Sequence, residues 1–151
     1  MAWFKKENLE LDTLRRELRA LETSHVFARL APDHTVLSVN DSFCTFLNVE
    51  AADIIGKDYE QIVREKDYDS AEFIDIWRHV DNGRPINQIV PRLNKQRDEV
   101  WFDATYTPIM KPDGTHDYTI VAAREITATH LRRRDNRSQV DAVNRSMAVI
   151  E

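Results

Sequence analysis

The sequence predicts an α+β domain built on a five-stranded antiparallel sheet with short helices on one face, and three observations carry that expectation. Residues 99–110 alternate β-branched and aromatic side chains with polar ones at a period of two, the pattern of a long, half-buried strand. Polar turns separate this stretch from strand-like residues 86–93 and 118–127, so hairpin logic makes the three antiparallel neighbours and puts residues 99–110 at the centre. Phe73, Ile76, Trp77 and Val80 recur at i, i+3, i+4 and i+7, a helix with one apolar stripe to lay on that sheet.

Each element follows in chain order. Residues 4–24 are rich in Leu, Glu and Arg, and Leu11, Leu14, Leu18 and Leu21 follow three-four-three spacing without Gly or Pro, which predicts an amphipathic helix with a coiled-coil seam. With Leu11 and Leu18 at the a positions, Glu10 and Arg15 attract across a parallel homodimer, whereas Glu17 and Glu22 repel. Two uses of the stripe stay open: a dimer seam, or packing on the protein's own sheet. Residues 25–31 and 35–40 form two short alternating segments joined by Pro32, Asp33 and His34, a hairpin. Asn40, Asp41 and Ser42 offer N-cap side chains ahead of Phe43, Phe46 and Leu47, so a short helix begins there. Residues 51–55, stopped by Gly56, and residues 59–64 predict further short helical pieces that lean on the sheet, being too short to stand alone in water. Ser70 caps the striped helix, and Asn82-Gly83-Arg84-Pro85 ends it. Pro108 marks a strand end or a sheet edge, and Pro112-Asp113-Gly114 turns the chain into the last strand.

From Ala128 the composition becomes charged and polar, with Val140, Val143, Met147 and Ile150 at three-four-three spacing, which predicts a second seam-bearing helix. The expected division is residues 1–24 as a dimerising helix, 25–127 as the domain, and 128–151 as a connector helix. The stop at Glu151, without a terminating motif, predicts a piece of a longer protein.

Composition excludes several classes. A net charge of −5, with Arg132 to Arg134 as the one dense basic run, argues against a nucleic-acid footprint. No apolar run approaches the ~20 residues of a membrane span and the charged start is no signal peptide, so a cytoplasmic location is expected, which the single Cys44 also fits. The three glycines lie at turns, so no phosphate-cradling loop is present, and the five histidines lack metal-ligand spacing. Catalysis is not expected. The Phe73 and Trp77 stripe facing a sheet either encloses an apolar cavity or fills the core itself.

In their order and spacing, residues 39–43 (Val-Asn-Asp-Ser-Phe), 55–57 (Ile-Gly-Lys), Phe73 with Trp77, Asn82-Gly83, 99–101 (Glu-Val-Trp) with Pro108-Ile109, and 125–127 (Glu-Ile-Thr) resemble a PAS domain. The resemblance is to the PAS input modules of bacterial methyl-accepting chemotaxis transducers. It covers about residues 26–127, with Glu125 standing where the family usually has Asp. The last eight residues, 144–151, resemble the opening of a second PAS domain. The resemblance implies a sensor of a small molecule or redox state, in a homodimer that passes its signal to downstream domains of the same chain. Glu125 and Thr127 are then the relay residues. Similarity to aerotaxis-receptor PAS domains makes Asn40, Arg64, Phe73 and Trp77 candidate cofactor contacts and FAD a candidate cofactor. Two departures count against FAD: Glu65 stands where those receptors have His, and Arg92 where they have Asn. Haem is the weaker candidate, since residues 118–127 hold no Trp and His79 falls at a helix end, where it caps carbonyls or faces solvent. Cys44 lacks the motif of flavin-cysteine photochemistry.

Overall fold

The computed structural model describes the backbone of residues 2–149 and the side-chain surroundings of residues 2–144. Helix α1 (Ala2–Ser24) leads into a hairpin of β1 (Val26–Leu30) and β2 (Val36–Val39). The short helices α2 (Asp41–Leu47) and α3 (Ala51–Ile54) follow, then two 3-10 turns at Tyr59–Ile62 and Glu65–Asp67. Helix α4 (Ala71–Asp81) precedes the long strands β3 (Ile86–Leu93), β4 (Glu99–Met110) and β5 (His116–Glu125), and α5 (Thr127–Val149) closes the described chain.

The sheet is five-stranded and antiparallel in the order β2-β1-β5-β4-β3. The middle strand is therefore β5, not the 99–110 strand that local hairpin reasoning centred, because β1 crosses back to pair Val26 with Ala123. Hairpins are encoded locally; that long-range return is not. The alternation itself holds: Phe102, Ala104 and Tyr106 of β4 are buried with Val121 and Ala123 of β5 and Val26, Ala28 and Leu30 of β1. Against this face pack Phe43 and Leu47 of α2, Ile54 of α3, and Phe73, Ile76 and Val80 of α4. Pro108 lies inside β4, beyond the last pair with β3 at Tyr106, where one side of the strand is open and a missing N–H is tolerated.

The last strand ends two residues earlier than the pattern suggested. The Trp101 N–H donates to Thr127 Oγ1 and the Ile126 N–H to the Trp101 carbonyl, while the Glu125 carboxylate accepts the Thr127 N–H. These bonds start a helix where strand propensity alone would run on. At α4, the Ser70 hydroxyl accepts the Phe73 N–H, and a Schellman pair closes the other end, Arg84 N–H to His79 carbonyl and Gly83 N–H to Val80 carbonyl, with Gly83 at φ 75°.

Helix α1 buries none of its residues: Leu14 is 61% exposed and Leu21 52%. Packing of the stripe on the protein's own sheet, one of the two uses left open, is thereby overturned. The reason is the exit angle fixed by Asn40 and Ser42, whose side chains hold only the last turn of α1 at the Glu22 carbonyl. Leu131, Val140 and Val143 of α5 are likewise exposed; Met147 and Ile150 lie outside the described side chains. Among the described residues no helix is long and apolar enough to cross a membrane.

Candidate functional site

β3 is an edge strand, and its inward row contains Gln88, Val90 and Arg92 in line with Val100 and Phe102 of β4. Alternation therefore sends Arg92, an arginine, into the core, where it is 4% exposed. Its Nε donates to the Tyr59 hydroxyl at 3.0 Å, Nη2 to the Tyr106 hydroxyl at 2.8 Å, and Nη1 to the Pro91 carbonyl at 2.7 Å. The two hydroxyls are themselves 2.9 Å apart. Aromatic rings complete the cage, with the guanidinium carbon 5.2 Å from the Tyr59 ring centre and 6.0 Å from that of Phe73.

Burial opposes the Arg92 charge, but the surrounding tyrosine oxygens favour it and the group stays ionised. Burial also pushes the Tyr106 hydroxyl far above its ordinary range, so that partner is neutral. Among the described residues no carboxylate stands within ion-pair distance of Arg92. A full positive charge is thus held in the core by neutral dipoles alone, an arrangement that desolvation makes costly.

Two spaces meet at this residue. On the core side lies a cavity of about 20 Å³ touching Tyr59, Val90, Arg92, Phe43 and Phe102, about the room of one water. Outside, along the edge of β3 and beside the first turn of α4, runs a cleft of about 320 Å³ bordered by Arg64, Phe73, Gln88, Val90, Arg92 and Trp101. Val90 and Arg92 line both, so these two residues stand between them. The cleft matches the lower end of the ~300–1,000 Å³ of small-molecule sites, and the cavity falls far below it.

Arg64 stands at the mouth. Its Nε and Nη2 grip Asp67 at 2.6 and 3.2 Å, and Nη1 reaches Glu99 at 2.8 Å. The Arg64 hydrogen bond holds the Glu99 carboxyl below the usual carboxylate range. The guanidinium also sits 5.7 Å over the Trp101 ring, and that ring stacks on His130 of α5 at 3.9 Å. Trp101 thus touches the cleft on one side and α5 on the other.

Of the four residues singled out as cofactor contacts, the structure brings Arg64 and Phe73 to this cleft and not the other two. Trp77 is half-buried and stacks on His34 at 3.7 Å, with Phe73 edge-on at 5.4 Å. Asn40 caps α2: its Oδ1 accepts the Phe43 and Phe27 N–H groups and its Nδ2 donates to the Glu22 and His25 carbonyls. That leaves its amide no free donor for a ligand. The cavity against the sheet, at about 20 Å³, is far smaller than a flavin or a haem. Nor do metal ligands gather: among the described residues no three His, Cys, Asp or Glu side chains form a cluster. His79 bonds the Asp75 carbonyl of its own helix. Burial pushes the Cys44 thiol up, away from the reactive thiolate. Sequence reasoning flagged Arg92 as a departure without foreseeing its burial, and missed Trp101 and His130 as a pair. The two rings meet only because Thr127 starts α5 against β4.

Comparison with known proteins agrees with this geometry. The family model described as the PAS fold matches residues 22–131. The biofilm dispersion protein BdlA of Pseudomonas aeruginosa is 26% identical over 134 residues, covering 89% of this chain and 32% of that protein. The chain thus spans about a third of that relative's length. Among solved structures, an RNA-binding light-oxygen-voltage receptor superposes with a TM-score of 0.70 at 16% identity, over 85% of this chain and 36% of the other. The PAS domain of a protein from Colwellia psychrerythraea gives 0.67 at 16% identity, over 77% and 98%. At such identities the likeness to these structures is one of fold alone.

Proposed function

Because the chain belongs to the PAS fold family, we propose that it is the sensory input and relay module of a cytoplasmic, homodimeric chemotaxis-type signalling protein, and that it reads a small ligand in the cleft beside Phe73 and Arg92. The observation that carries this reading is the placement of Trp101 between Arg64 at the cleft and His130 on α5. A ligand that moves Arg64 or the first turn of α4 changes the packing on Trp101. Through the bonds of Trp101 to Thr127 and Ile126 it then changes the angle at which α5 leaves the sheet. The ligand must bind one angle better than the other, since equal affinity shifts nothing. Glu125 and Thr127 form the hinge, and the exposed seams of α1 and α5 turn the angle into a change between subunits. The small core cavity favours a ligand over a flavin redox centre as the stimulus.

The same small cavity gives a second reading its support, a filled scaffold that dimerises while a following domain senses. One experiment separates them. Val140→Cys in a Cys44→Ser background reports subunit contact by the rate of disulfide crosslinking. The sensory reading expects a compound from a charged and neutral metabolite panel to raise Tm and shift that rate, and expects Thr127→Val to keep the Tm rise but lose the shift. A panel in which nothing raises Tm, together with a colourless protein that releases no small molecule on denaturation, supports the scaffold instead.

A further inference from the structure

A buried guanidinium has five N–H groups, and Arg92 commits three of them, one on each nitrogen, to Tyr59, Pro91 and Tyr106. One N–H on Nη1 and one on Nη2 remain, a pair in the planar fork that matches the two oxygens of a carboxylate. The residue is 4% exposed, lacks an anionic partner among the described residues, and borders the cleft. Other charges at the cleft do not supply the missing anion. Asp67 and Glu99 are taken by Arg64, and Glu72, at the first turn of α4, is exposed to solvent. The lining is mixed: Phe73 and Ile76 from α4 and Val90 and Pro91 from β3 give it an apolar side, while Asp67, Ser70, Glu72 and Gln88 make the rest polar. The cleft also lies at the N-terminal end of an 11-residue helix, whose first turn carries N–H groups without intrahelical carbonyls and the positive end of the helix dipole.

Resting on the sensory reading above, we infer that the ligand of this cleft is a small organic carboxylate. Its head group supplies the counter-ion that Arg92 lacks, and its carbon body lies against Phe73, Ile76 and Val90. The apolar side of the cleft, Phe73, Ile76 and Val90, gives the carbon body of an organic acid a surface to cover that an inorganic anion does not use. Arg64 and Trp101 border the same space, so the bound acid lies against the residues that lead to α5.

The test compares each acid with its own amide, using the whole chain at pH 7 and fixed ionic strength. The probes are benzoate against benzamide, hexanoate against hexanamide, and pyruvate against pyruvamide, with inorganic phosphate and sulfate beside them, all followed by calorimetric titration and by Tm. At least one acid binds about tenfold or more tighter than its amide, the scale of one charge-assisted contact. Arg92→Met removes that preference while Tm holds or rises, because the caged charge is replaced by an apolar chain of similar length. If Arg92→Met fails to fold, the acid-to-amide ratio in the wild-type chain decides alone. Acid and amide binding equally well overturns the assignment but leaves a sensor of neutral molecules standing. Phosphate or sulfate binding as tightly as every acid overturns the organic part. If nothing binds from any class, the carboxylate and the sensory reading fall together.

Discussion

Asn40 engages both ends of its amide with backbone: it caps α2, fastens Phe27 of β1, and ties the last turn of α1 through the Glu22 and His25 carbonyls. Its removal therefore strips an N-cap, typically worth ~1 kcal/mol, and leaves part-buried backbone groups unpaired at ~1 kcal/mol or more. Asn40→Ala is expected to lower stability by about 2–3 kcal/mol in urea unfolding with an unchanged m-value. Asn40→Asp keeps the accepted bonds and loses the donated ones, so it falls between. A loss for Asn40→Ala no greater than that of an ordinary surface change would mean the amide does not carry this junction. The cap was legible from the Asn-Asp-Ser run before an apolar helix, whereas the ties to α1 were not, because they depend on where a helix 18 residues earlier ends. The two Pro-Asp turns make a similar case. Residues 31–35 and 111–115 fold alike, each with an Asp carboxylate accepting the N–H of the Thr two residues on. Gly114 takes the left-handed position at φ 88°, and His34 takes it at φ 74°. The sequence announces both turns. It does not announce that His34 is held against Trp77, a contact made only when α4 lies over the hairpin.

Among the elements, those with a clean period were legible: the stripe of α4, the alternation of β4 and β5, and the helix of α1 with its row of leucines all stand in the structure, whereas β3 buries four residues in succession from Val90 to Leu93. What a period cannot tell is which surface an apolar stripe meets. The stripe of α4 is buried and that of α1 is not, although both have helical spacing. Exposed leucines in a helix of 23 residues contribute little to the folding of the single chain, and on the dimer proposal their place is between subunits. Changing Leu14 and Leu18 together to Gln is therefore expected to leave thermal stability of the sheet core within about 0.5 kcal/mol per site, as for other exposed positions. The same pair of changes should shift sedimentation from dimer toward monomer. A dimer that sediments unchanged would place the subunit contact elsewhere, with α5 the next candidate. The order of strands belongs to the same lesson: three local hairpins were readable, while the insertion of β5 between β4 and β1 follows from a pairing almost a hundred residues apart.

At the level of the whole molecule, Trp101 borders the cleft and also touches α5. The Trp101 backbone pairs with Thr127 and Ile126, and its ring lies between Arg64 and His130. The two roles are separable, because truncating the ring leaves the backbone bonds in place. Trp101→Ala should keep the sheet and the hinge but remove the stacking that fixes α5, which double-mutant cycles for such pairs put at ~0.5–1.5 kcal/mol. Hydrogen exchange reads the difference by position. Amides in the first turn of α5, beginning with His130, whose N–H bonds the Ile126 carbonyl, should exchange about two- to tenfold faster, while those of β1 and β5 keep their protection. A uniform rise across sheet and helix would instead mean that Trp101 supports the core as a whole. A local rise has a functional consequence. With the ring gone, a carboxylate on Arg92 would still bind and still raise Tm, but α5 would no longer respond to it. Binding at Arg92 and relay to α5 would then come apart at Trp101, whose ring borders the cleft and stacks on His130.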